Sequence, residues 1–80
     1  MVGNILAHKD YEFAIFTHGG QIDIYRRTKD SFVRVRGLMN PILPKNVTWD
    51  HINKILVGGD MEEKSKLAEI LYNFYIVNEK

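Results

Sequence analysis

The sequence predicts an α+β domain: a three- or four-stranded antiparallel β-meander packed on one face by a C-terminal helical hairpin. Three observations predict it. Apolar residues alternate with period two across the first half. Tight-turn signals punctuate that alternation. Apolar residues then recur at i, i+3, i+4 and i+7 in the second half, behind helix-capping signals.

Tyr11 to His18 reads as a strand with Phe13, Ile15 and Thr17 on one face. Gly19-Gly20 follows, a pair that tolerates positive φ and closes a two-residue hairpin. Gln21 to Arg27 returns with Ile22 and Ile24 inward, and Phe32 to Arg36 follows the Lys29-Asp30 turn with Val33 and Val35 inward. Two-residue loops set the register. They pair Ile15 with Ile24, Thr17 with Ile22, Ile24 with Val35, and Arg26 with Val33. The opposite face then pairs Glu12 with Arg27, Asp23 with Arg36, and Tyr25 with Arg34. Charges and aliphatics thus sort onto separate faces, as a half-buried sheet requires. His8-Lys9-Asp10-Tyr11 echoes the turn Thr28-Lys29-Asp30-Ser31. Repeating the turn makes Gly3 to Ala7 a fourth strand with Leu6 opposite Phe13; a short N-terminal helix is the alternative.

The meander spans about residues 3–37, and residues 37–48 read as a loop. Gly37, Pro41 and Pro44 interrupt any regular element there. Helices are expected at about 49–57 and 61–77. Thr48 is the N-cap of the first, Val47 staples onto Ile52, and Gly58 supplies a left-handed C-cap. Asp60 with Glu63 forms a capping box for the second. Its buried stripe is expected at Leu67, Ile70, Leu71 and Phe74. The β-branched end, Tyr75-Ile76-Val77, reads as helix or as strand.

One domain is expected over residues 1–80. A chain this short buries only about 60–65 % of its unfolded surface, which leaves little room for a core and a deep catalytic pocket together. No catalytic constellation is visible, so a non-enzymatic binding module is expected. Cysteine is absent, which fits a reducing compartment. The first eight residues lack the basic start and long apolar run of a signal peptide, and no apolar stretch approaches membrane-spanning length. A cytoplasmic protein without membrane attachment is expected. His8, His18 and His51 have no metal-ligand spacing, and neither glycine pair belongs to a phosphate-cradling motif. No metal and no cofactor are expected.

Every arginine lies between residues 26 and 36: Arg26, Arg27, Arg34 and Arg36. The net charge is only +1, so the clustering rather than the total is informative. A guanidinium suits bidentate contact with carboxylates and phosphates. The expected partner-binding surface is the outer sheet face with Tyr25, Arg27, Arg34 and Arg36, and Arg26 at its rim. The plain alternative is a solvated face whose arginines are matched by Glu12 and Asp23. A secondary partner-binding segment is Leu38, Met39, Ile42 and Leu43, against the alternative of a lid over the core. Tyr72, Tyr75 and Ile76 exceed one helix face and point to burial on two sides or to a homodimer.

The expected function is therefore a protein-binding accessory or inhibitor protein. Small cysteine-free domains of this kind are common among the proteins of phages and mobile elements. The alternative is nucleic-acid binding by the same arginine-bearing face, since three-stranded sheets backed by a helix are similar at fold level to DNA-binding domains of phage-type integrases.

Overall fold

The computed structural model describes residues 5–7, 10 and 12–78. In chain order these form β1 (Ile5–Ala7), β2 (Phe13–His18), β3 (Gln21–Arg27), β4 (Phe32–Met39), α1 (Trp49–Gly58) and α2 (Met61–Tyr72). A π-helical turn, Asn73–Val77, extends α2. The strands make one antiparallel sheet in the order β1-β2-β3-β4, and both helices lie on one face of it, as expected.

The first hairpin follows from its glycines. Gly19 and Gly20 have φ of 52° and 83°. Positive φ at both central residues is the turn whose twist matches that of the flanking strands. Ile15 therefore pairs with Ile24 and Thr17 with Ile22, and all four are buried. The N-terminal segment is a strand, not a helix. Leu6 stands opposite Ile15, two residues from the expected Phe13. A slip of two keeps the same side chains inward, so Leu6 still reaches the core. Gly3, His8, Lys9 and Tyr11, which belonged to that expected strand and turn, lie outside the described residues.

The second hairpin departs from expectation at one place. Arg27–Phe32, Arg26–Val33 and Tyr25–Arg34 pair as a two-residue loop requires, but Ile24 then pairs with Arg36 and Asp23 with Gly37. Val35 is an extra residue, a β-bulge. The bulge reverses the phase of the rest of β4. It brings Leu38 opposite Ile22 and into contact with the core, while Gly37 turns outward. β4 thus runs through Gly37 to Met39. Val33 and Val35, expected inside, are 48 % and 45 % exposed, because α2 packs over β1 and β2 and leaves this end of the inner face uncovered.

Local capping fixes the helix starts. The Thr48 hydroxyl accepts from the His51 N–H at 3.1 Å. Asp60 Oδ1 accepts from the Glu63 N–H at 2.8 Å, and Glu63 Oε1 accepts from the Asp60 N–H at 3.1 Å. The end of α1 is not the expected left-handed cap at Gly58. Gly59 terminates it in an extended conformation, φ −80°, with its N–H bonded to the Ile55 carbonyl at 2.8 Å. A Cβ at residue 59 would sit 2.6 Å from that oxygen, so close approach, rather than handedness, is why glycine suits the position.

The buried stripe of α2 is rotated from the expected one. Leu67, Ala68, Leu71, Tyr72 and Tyr75 are buried, whereas Ile70 and Phe74 are exposed. Aromatic contacts decide the rotation. The Tyr72 ring stacks on Phe13 with centroids 4.1 Å apart and planes at 14°, and Tyr75 finds a hydrogen-bond acceptor. Leu6, Ile15, Ile22, Ile24 and Ile52 complete the core with these residues. No described helix is long and apolar enough to cross a membrane.

Candidate partner-binding face

Strand pairing sorts the side chains of the sheet. Partners across a ladder share a face, and neighbours along a strand alternate. The face away from the helices carries Ile5 from β1, Phe16 from β2, Asp23, Tyr25 and Arg27 from β3, and Phe32, Arg34 and Met39 from β4. Ile5, Arg27, Phe32, Arg34 and Met39 are exposed; Phe16 and Tyr25 are half-buried. Among the described residues no helix or loop lies over this face.

At its centre is a fixed ion pair. Arg34 donates to Asp23 Oδ1 at 3.1 Å, and Gln21 Nε2 donates to both oxygens of the same carboxylate at 3.3 and 3.2 Å. Gly37 leaves open the space that the pair occupies. A Cβ there would come within 2.8 Å of the Arg34 guanidinium and 3.0 Å of Asp23 Oδ1. The outward glycine is a gap into which the arginine folds. The Asp23 side chain is 13 % exposed and that of Arg34 56 %. The carboxylate is nearly buried while the guanidinium is open to water, and screening of the exposed partner keeps the net contribution to about 1 kcal/mol. Its effect is orientation: Arg34 lies along the sheet with part of its fork free, beside Tyr25, the residue it pairs with.

The expected arginine set is thus partly regrouped. Arg27 and Arg34 lie on the outer face with Tyr25, as expected. Arg36 does not. The bulge turns it to the helix side, where it is half-buried and donates to the Tyr75 carbonyl at 3.2 Å. That carbonyl is in the last helical turn, where backbone acceptors lack partners within the helix and a cation is favourable. Arg26 has the inner-face phase and is exposed near the second turn, beyond the cover of α2. The expected Asp23–Arg36 pair is replaced by Asp23–Arg34. Glu12 and Arg27 adjoin through a backbone bond, Arg27 N–H to Glu12 carbonyl, 2.9 Å.

The secondary segment divides. Leu38 and Leu43 pack against the core and act as the lid. Met39 and Ile42 are exposed, Ile42 at 85 %. Tyr72 and Tyr75, expected at a self-association surface, are buried within the chain itself, and Ile76 is half-buried against the core. The Tyr75 hydroxyl donates to the Ile42 carbonyl at 2.6 Å, which ties the loop to the end of α2. Burial raises the Tyr75 phenol above its ordinary value of 10.0.

Ile5, Phe16 and Phe32 were not among the expected site residues. Their signal was present: each is a large apolar side chain at an outward position of an alternating strand. Comparison of the chain with protein-family models, with curated proteins and with solved structures finds no significant match.

Proposed function

We propose that this chain is a small protein-binding module of the accessory or inhibitor kind, without chemistry of its own, acting in the cytoplasm by covering a surface of its partner. One observation supports this reading above others. The uncovered sheet face mixes aromatic and aliphatic side chains (Phe16, Tyr25, Phe32, Ile5) with oriented arginines (Arg27, Arg34). Aromatic residues and arginine dominate binding energy at protein interfaces. The arginines would meet carboxylates on the partner and the rings would supply the apolar anchor.

Nucleic-acid binding is the second reading, because aromatic rings interleaved with arginines on a sheet also suit single strands. Asp23 weighs against it. It places a carboxylate at the middle of the face and already engages Arg34, which lowers the attraction for phosphates.

The test uses a partner captured by the full chain from its native host and identified by mass spectrometry. Arg27→Glu combined with Arg34→Gln is expected to leave thermal unfolding within a few degrees of wild type, since Gln21 still bonds Asp23. The same variant is expected to weaken the partner about 100-fold or more, the loss of interface arginines at a hot spot. A steep fall in affinity with salt would favour nucleic acid over protein. Unchanged affinity would leave these side chains as an ordinary solvated sheet surface.

A further inference from the structure

At the opposite end of β3 from the arginines, the β2–β3 turn, the residue after β4 and the first turns of α1 meet around a depression of about 380 Å³. Small-molecule sites occupy about 300–1,000 Å³. Trp49 and Asn53 stand four apart on α1 and therefore share a side of the helix. Trp49 is half-buried against the core, which holds its ring in place. Asn40 has φ 47°, a left-handed conformation that asparagine tolerates better than most residues. Its N–H donates to the Gly20 carbonyl at 2.8 Å, and a Cβ at residue 20 would come within 3.1 Å of its Oδ1. The bare turn thus leaves room for the Asn40 carboxamide. Asn40 and Asn53 are exposed, and among the described residues neither carboxamide is hydrogen-bonded. Thr17 and His18 complete the polar lining. Among the described residues, no carboxylate, ammonium or guanidinium group lines the depression. Three other depressions each hold a lysine and a carboxylate: Lys54 with Asp50, Lys66 with Glu63, and Lys54 with Glu63.

We propose that this charge-free depression binds a neutral sugar ring. A sugar hydroxyl both donates and accepts, and a carboxamide offers an acceptor and two donors in one plane. Asn40 and Asn53 can each bond two adjacent hydroxyls. The C–H face of the sugar would lie against Trp49, a large amphipathic ring that loses little entropy on binding. An anionic sugar would give up water at its charge without meeting a counter-charge. A nucleobase fits less well, because bases are gripped between flat or apolar faces and Trp49 is the one large flat side chain in this lining. The site shares none of Tyr25, Arg27 and Arg34 with the outer face, so it goes beyond the protein-binding reading.

Trp49 is the sole tryptophan, so its emission reports on this site. The full chain is titrated with glucose, galactose, mannose and N-acetylglucosamine. At least one is expected to shift the emission with saturation in the roughly millimolar range, as for a ligand of about a dozen heavy atoms in an open site. Asn53→Ala puts the best helix former at an exposed helical position, and Asn40→Gly keeps the positive φ. Both are expected to melt within a few degrees of wild type and each to weaken that sugar about tenfold, the loss of its hydrogen bonds. Lys54→Ala, next along α1 but outside the depression, is expected to bind it unchanged. The proposal is overturned if no sugar gives a saturable change at tens of millimolar, or if both asparagine variants bind as wild type does. Tighter binding of glucose 6-phosphate or glucuronate than of the neutral sugars would also overturn it. Binding of adenosine or uridine in place of sugar would overturn it in favour of a base site. Arg27→Glu with Arg34→Gln is expected to bind the sugar unchanged, so this proposal and the outer-face reading fail separately.

Discussion

Replacing Ile24 by alanine is expected to destabilise the fold by about 2–5 kcal/mol, the range for deleting a fully buried aliphatic side chain. Ile24 has no exposed surface and stands between Ile15 on β2 and the bulge on β4. It is too central for the neighbours to collapse into the space. A small domain has roughly 5–15 kcal/mol in total, so the melting temperature should fall by about 10 °C or more. The informative companion is Val35→Ala. A regular register would bury Val35 against Ile24, and its truncation would then be costly. In the bulged strand Val35 is 45 % exposed, and its loss is expected to cost less than about 1 kcal/mol. Urea unfolding of both variants measures the contrast. A loss below about half a kcal/mol for Ile24→Ala would mean the sheet faces are misassigned. Comparable large losses for both would remove the bulge.

The parts of the fold readable from sequence are those that local chemistry determines. Gly19-Gly20 sets its own turn and with it the β2–β3 register. Asp60 and Glu63 cap each other without help from the rest of the chain. What was not readable depends on competition between distant groups. The bulge is favoured because it delivers Leu38 to the core and lets Arg34 fold over Gly37 onto Asp23. Alternation alone cannot weigh those gains against a lost ladder pair. A glycine after an alternating run signals the end of a strand, yet β4 continues through Gly37 to Met39 because the bulge at Val35 restores a regular pairing with Asp23. The stripe of α2 departs from simple periodicity for a similar reason. Ile70 and Phe74 outrank Ala68 and Tyr72 in hydrophobicity, but Phe13 offers Tyr72 a flat ring to stack on. For the candidate face, alternation did place Tyr25, Arg27 and Arg34 outward. It misplaced Arg36 because one inserted residue reverses every side chain after it.

Tyr75 makes the strongest case for a role set by three-dimensional context. Its ring is buried, its hydroxyl donates to the Ile42 carbonyl, and its own carbonyl accepts from Arg36. One residue thereby joins the end of α2 to both β4 and the loop after it. Tyr75→Ala is expected to cost about 3–5 kcal/mol, as for large aromatic truncations. Tyr75→Phe keeps the ring and the backbone carbonyl and removes one hydrogen bond. Its cost should be about 0.5–1.5 kcal/mol, with faster amide exchange in residues 42–47 as the loop loses its tie. The pH dependence separates this bond from generic packing. Burial raises the folded-state pKa of the phenol, so its stabilisation is complete below the unfolded value near 10. Above that the unfolded chain ionises first, and the contribution drains away as pH rises through the folded pKa. The other tyrosines are common to both proteins and largely cancel. The stability advantage of wild type over Tyr75→Phe should therefore shrink between pH 8 and pH 11 in urea unfolding. An advantage that stays constant, or grows, across that interval would mean that the hydroxyl is not held in a desolvated bond to Ile42.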